Sequence, residues 1–171
     1  MKLRRITIIA ALCSCSLAAG EAKEPVRAEL NGLRIVIDPN SGGLLELEYA
    51  GMKILQARPR SASLLDSAYP GYGFEPLRLG TRYSRDARVE VADGGISITW
   101  QTLGMSRAFE PKGSVSATVQ IRPAPDGRSI TLQASIENRS ELSIPQVLFP
   151  DLAGLQPFAG LEGTELRTCG G

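Results

Sequence analysis

Apolar residues recur at alternate positions along much of this chain, and no stretch sustains a helical period. Alternation of this kind turns one side of an extended strand toward a core and the other toward water. The chain therefore reads as a succession of half-buried strands. Leu33, Ile35 and Ile37 share one face, as do Leu45, Leu47 and Tyr49. Between them, Asp38-Pro39-Asn40-Ser41-Gly42-Gly43 concentrates residues that accept turn geometry. Ala50-Gly51 then reverses the chain into Met52 to Leu55.

Two hairpins are the clearest local predictions. Val89 and Val91 lead through Asp93-Gly94 to Ile96, Ile98 and Trp100, and Asp-Gly supplies the positive φ angles that a tight primed turn requires. Trp100 shares parity with Ile96 and Ile98 and is read as core. Next, Val115, Ala117, Val119 and Ile121 pass through Pro123-Ala124-Pro125-Asp126-Gly127 into Ile130, Leu132, Ala134 and Ile136. The opposite face of that pair carries Ser116, Thr118, Gln120 and Arg122 against Ser129, Thr131, Gln133 and Ser135, so one side faces water. Residues 57–85 lose the alternation and read as a long ordered loop with a short strand near Leu77 to Tyr83. Pro145 to Pro150 predicts one more strand, and Thr164 to Thr168 another with nothing after it. An edge left open is a feature that proteins normally protect, so we expect the sandwich to be the front part of something longer.

The N-terminus changes the picture from a plain β domain to an exported one. Met1-Lys2-Leu3-Arg4-Arg5 is basic, Ile6 to Leu12 is nearly all apolar, and Ser14, Ser16, Ala18, Ala19 and Gly20 are small. That order is the one a secretory signal shows, with cleavage expected after Gly20 or Ala22. The domain division is thus a signal segment over 1–22 and a β-sandwich over 23–171. The apolar run is broken by Ser14, Ser16 and Glu21 and falls short of the about 20 residues a spanning helix needs. Leu12-Cys13-Ser14-Cys15 also resembles a bacterial lipobox, with Cys13 atypical. Lipidation at Cys15 is the alternative, and it would tether the domain to a membrane. The expected location is periplasmic or extracellular, or a membrane-anchored lipoprotein on that alternative.

Charge and composition then remove classes of function. The chain has 19 basic and 18 acidic residues, scattered rather than clustered, without the basic stripe that nucleic-acid binding needs. The locally basic run Arg58, Arg60, Arg78, Arg82, Arg85 and Arg88 reads as a solvated face. There is no histidine, which excludes Ser-His-Asp and Cys-His arrangements and the commonest zinc ligand. Cys169 is the one cysteine beyond the signal, so no internal disulfide is expected. No catalytic residue, metal or cofactor is predicted in this chain.

Three stretches carry a family resemblance: Leu33-Arg34-Ile35-Val36-Ile37-Asp38-Pro39-Asn40-Ser41-Gly42-Gly43-Leu44, Ser135-Ile136-Glu137-Asn138-Arg139-Ser140, and Val147-Leu148-Phe149-Pro150-Asp151-Leu152-Ala153-Gly154-Leu155. Together they resemble the N-terminal galactose-mutarotase-like β-supersandwich of large exported bacterial glycoside-hydrolase-like proteins. The resemblance implies an all-β, antiparallel sandwich that precedes a (β/α) barrel bearing the catalytic carboxylates. Mutarotases themselves use histidine, so it does not imply mutarotase activity here. What it implies is a non-catalytic module, with carbohydrate and a downstream catalytic domain as partners. A free-standing exported or lipid-anchored scaffold or adhesion domain fits the same strands.

Among the side chains, Glu46, Glu48, Asp66, Glu75, Asp86 and Asp151 are the carboxylates that could serve as an acid/base pair, yet no spacing singles out a dyad. Asp38 and Asp126 sit in turns and are expected to bind their own backbone. Tyr69, Tyr72 and Phe74, in the Pro/Gly-rich stretch, are the candidate ligand-binding residues, because aromatic rings stack on the apolar face of a sugar.

Overall fold

The computed structural model describes residues 23–69, 77–107 and 112–156. The signal segment expected over 1–22, Cys15, Tyr72, Phe74, Cys169 and the strand expected at Thr164 to Thr168 lie outside the described residues. The fold is all-β and antiparallel, as the alternation predicts. Strands β1 (Val26–Leu30), β2 (Leu33–Ile37), β3 (Leu44–Tyr49) and β4 (Met52–Gln56) form one sheet in sequence order. β5 (Asp66–Tyr69) and β6 (Leu77–Gly80) come next, then β7 (Arg88–Ala92), β8 (Gly95–Trp100), β9 (Val115–Pro123) and β10 (Ile130–Asn138) as a second four-stranded meander. β11 (Gln146–Leu148) pairs with β5, giving a third sheet ordered β11-β5-β6.

Tight turns set the registers. Asn31-Gly32, Ala50-Gly51 and Asp93-Gly94 each join neighbouring strands with positive φ at both residues, between 50° and 79°. This is the mirror-image geometry whose twist matches a hairpin. The β9–β10 pair runs unbroken from Val115 opposite Asn138 to Pro123 opposite Ile130. Its rows of apolar residues face one another as predicted, with Leu132 opposite Ile121 and Ala134 opposite Val119.

Two sequence expectations are corrected. The first placed Leu45 on the core face of β3. A bulge between Val36 and Ile37 instead sets Ile37 opposite Leu44, so Leu44 takes the buried place and Leu45 is half-buried. One extra residue reverses the side-chain parity beyond it. The second read residues 57–85 as a long loop with one short strand. β6 lies where that strand was expected, but the stretch also contains β5, the centre of the third sheet, and Ala62 to Ser67 are buried throughout. A segment covered on both faces shows no alternation, so the buried run from Ala62 to Ser67, which leads into β5, hid it.

The core runs through all three sheets, with Ile35, Leu55, Leu64, Leu65, Ile98, Val119 and Trp100 fully buried. Its joint is Trp100. The indole Nε1 donates to the Ser41 carbonyl at 2.8 Å, tying β8 to the β2–β3 turn. That turn is held by Asp38, whose Oδ2 accepts from Ser41 Oγ at 2.7 Å, and by Gly42 N donating to the Asp38 carbonyl at 2.8 Å. Gly42 has φ +72°, and a Cβ there would lie 2.8 Å from Ile98 Cγ2 and closer still to the Trp100 ring. Glycine thus meets both a left-handed backbone and a close packing demand. At the far end of the sandwich, Asn31 Nδ2 donates to the carbonyls of Ala124 and Ser129 at 3.1 and 2.8 Å.

Gly42→Ala is expected to lower unfolding free energy by about 3 kcal/mol or more, combining overpacking with an unfavourable φ; urea denaturation measures it. Asp126 accepts from Ser129 Oγ at 2.6 Å and from the N–H groups of Arg128 and Ser129 at 2.9 Å. The Ser129 hydroxyl first, and these N–H groups after it, hold its carboxyl below the usual 3.8. A carboxylate depressed in the folded state stabilises fully above its unfolded value and stops doing so as pH falls through the folded one. The Tm advantage of wild type over Asp126→Asn should therefore shrink as pH drops below 3.8.

Candidate functional site

The outer face of the β7–β10 sheet is a polar grid built by register alone. Glu90, Ser97, Gln120 and Gln133 lie side by side across the four strands, and Arg88, Thr99, Thr118 and Ser135 form the next row. Neighbours in a row stand about 4.8 Å apart. Among the described residues, Ser97, Thr99, Thr118, Gln120, Arg122 and Gln133 make no side-chain hydrogen bond or ion pair, so these groups are offered to solvent. An amide offers both donors and an acceptor, and a hydroxyl can play either part.

Two depressions lie on this face and share Glu90. One, of about 300 Å³, is lined by Glu90, Asp93, Gly95, Ser97, Gln120 and Arg122. Its floor is low because Gly95 is buried and lacks a side chain; a Cβ there would stand 3.0 Å from the Ile121 carbonyl and 3.4 Å from Arg122 Cγ. The other, of about 490 Å³, is lined by Asp86, Arg88, Glu90, Thr99 and Gln101. Arg88 and Glu90 pair at 2.7 Å with both side chains exposed, a contact that contributes little to stability but orders the ridge between the depressions.

A second polar constellation lies on the third sheet. Asp66, fully buried, receives Arg78 Nε at 3.0 Å and Nη2 at 2.7 Å on the same oxygen, Oδ2. Arg82 Nη2 donates to Asp151 Oδ2 at 2.7 Å. The hydrogen bond to Asp66, then its charge, raises the Arg78 pKa, with Asp151 and Tyr83 adding smaller effects. A raised basic pKa stabilises below the unfolded value and is lost only above it, so this contribution persists across physiological pH. Asp66 Oδ1 and Arg82 Nε are buried without a hydrogen-bond partner among the described residues. Both carboxylates are engaged by guanidinium groups, an arrangement that anchors β5, β6 and the chain after β11 to one another.

The basic run noted in the sequence is thereby divided. Arg78, Arg82 and Arg88 each have a carboxylate, and Arg85 donates to the Ser84 carbonyl at 2.9 Å. Arg60 and Arg85 flank a further depression, of about 380 Å³, beside Asp38 and Asn40. Glu48 pairs with Arg34 at 3.8 Å, away from Asp66 and Asp151.

Of the predicted ligand residues, Tyr69 ends β5 opposite Leu77, and Tyr72 and Phe74 lie outside the described residues. The polar row Ser116 to Arg122 was visible in the sequence. Glu90, Gly95, Ser97 and Thr99 were not linked to it, because that link requires β8 to pair with both β7 and β9. The two hairpin turns, read together, carry the signal that finds them.

Arg78→Met leaves the buried Asp66 carboxylate without its cation and should cost about 3 kcal/mol. Asp66→Asn should cost less, since Arg78 is 44% exposed and can turn to solvent. Chemical denaturation of the two variants checks the order. Compared with known proteins, the chain matches no family model, no curated protein and no solved structure.

Proposed function

We propose that this chain is a non-catalytic, carbohydrate-contacting β-sandwich module of an exported protein, and that the polar face of β7–β10 is its contact surface. The observation that carries the reading is the grid itself: Ser97, Gln120 and Arg122 hold unengaged donors and acceptors around a depression floored by Gly95, and Thr99 and Thr118 continue the grid in the next row. A polyhydroxyl ligand needs many weak, alternating hydrogen bonds on an open surface, and amides, hydroxyls and one guanidinium supply them. The resemblance to the galactose-mutarotase-like β-supersandwich supports the same reading. On that view the module supports or extends a substrate groove, and hydrolysis belongs to a downstream barrel. Tyr69, Tyr72 and Phe74, at the β5–β6 connection, are the aromatic contacts proposed alongside the grid.

Affinity electrophoresis in gels containing neutral and acidic polysaccharides tests this. Wild type should be retarded by at least one polysaccharide, and Gln120→Ala/Arg122→Ala should weaken that binding by about tenfold or more, since hydrogen bonds to charged groups contribute about 1.5–3 kcal/mol each. Loss of binding in the Tyr69/Tyr72/Phe74→Ala variant alone would move the site to those three aromatic residues. Migration unaffected by every polysaccharide would sink the sugar reading and favour an exported scaffold or adhesion domain.

A further inference from the structure

Every sheet edge among the described residues is guarded except one. β4 is covered by residues 154–156, through Gln56 N to the Gly154 carbonyl at 2.8 Å and Gln156 N to the Ile54 carbonyl at 2.9 Å. β6 is covered by 104–106 in the same manner, through Gly80 N to the Gly104 carbonyl and Ser106 N to the Arg78 carbonyl. β1 carries Arg27 and Glu29, β7 carries Arg88 and Glu90, and β11 is three residues long. Charge, shortness and covering segments are the usual means by which proteins blunt an edge.

β10 has one charge, Glu137, next to its last residue, and neither shortness nor a covering segment among the described residues. It is nine residues long and keeps an unbroken register with β9. From Ile130 to Ile136 it contains no charge, proline or glycine. Its open side makes no backbone hydrogen bond to any described residue. Its inward row, Ile130, Leu132, Ala134 and Ile136, packs on the core yet stays half-buried, so apolar surface remains to be covered beside the free ladder.

We propose that β10 is a self-association edge, pairing antiparallel with β10 of a second copy of this chain. The strand is complementary to itself. A two-fold axis through Ala134 sets Leu132 beside the partner's Ile136 on the inner face, and Gln133 beside the partner's Ser135 on the outer face. Parity is preserved, so from Leu132 to Ile136 apolar meets apolar and neutral polar meets neutral polar, while at each end Ile130 meets the partner's Asn138. The lone charge in β10, Glu137, falls opposite the partner's Thr131 and meets no like charge. The pairing unites two four-stranded sheets into one of eight, and it stands whether or not the polar face binds sugar.

Sedimentation velocity on the purified protein, from micromolar to millimolar concentration, tests it against Gln133→Lys/Ser135→Lys. Both positions are exposed, so the variant keeps the monomer fold, checked by its circular dichroism and urea midpoint. Like charges brought directly opposite destabilise strand pairing, so a concentration-dependent dimer in wild type should weaken by about tenfold or more in the variant. Amides within 130–138 should also gain hydrogen-exchange protection with concentration in wild type alone. A wild type that stays monomeric throughout overturns the proposal, as does a dimer that the two lysines leave unchanged.

Discussion

A buried indole N–H must find an acceptor, and in this protein that need fixes how two sheets meet. Trp100 is fully buried at the end of β8, and the acceptor within reach is the carbonyl of Ser41 in the β2–β3 turn. An unpaired polar group at that depth would cost about 1–3 kcal/mol, so the turn is drawn against the ring. Gly42 has no side chain to hold it off. Asp38 then organises the turn from within, binding Asn40 N and Ser41 Oγ, while Ala87 N reaches the Asn40 carbonyl and brings in the start of β7. The joint therefore links the first sheet to both strands of the Asp93-Gly94 hairpin.

With the inner faces committed to that core, the polar side chains on the outer face of β7–β10 take no part in the core formed by the described residues. Its polar side chains are aligned in rows by the same registers that align Ile96, Ile121 and Leu132 on the inside. A polar surface of this kind comes at little conformational cost, because the ladder that stabilises the fold also fixes the spacing of the grid. The Asp66–Arg78 and Arg82–Asp151 pairs play the opposite part. They lie in and beside the third sheet, where removing Arg78 leaves the buried Asp66 carboxylate uncompensated. Carboxylates there act in structure, whereas the open grid is suited to recognition.

Much of the strand pattern was legible in the sequence because a half-buried strand records its environment in its own alternation. β2, β8, β9 and β10, the Asp93-Gly94 turn and the core position of Trp100 all follow from local periodicity and turn chemistry. The bulge opposite Val36 could not be read, since it depends on how β3 meets β2 rather than on either strand alone. β5 could not be read for the complementary reason: the run from Ala62 to Ser67 that leads into it is buried throughout and shows no period.

By itself the sequence determined the all-β class, the hairpins and the polar composition of one face, because these rest on interactions between residues close along the chain. The tertiary structure alone decided which polar residues stand together. Glu90 and Gln120 are thirty residues apart, yet they flank one depression because β8 pairs on both its sides. Asp66 and Arg78, read in the sequence as one of several available carboxylates and as part of a solvated face, became an ion pair around a buried carboxylate when β5 and β6 folded onto each other. Hydrogen bonding between strands is blind to side-chain chemistry, so it brings together residues that no local pattern connects.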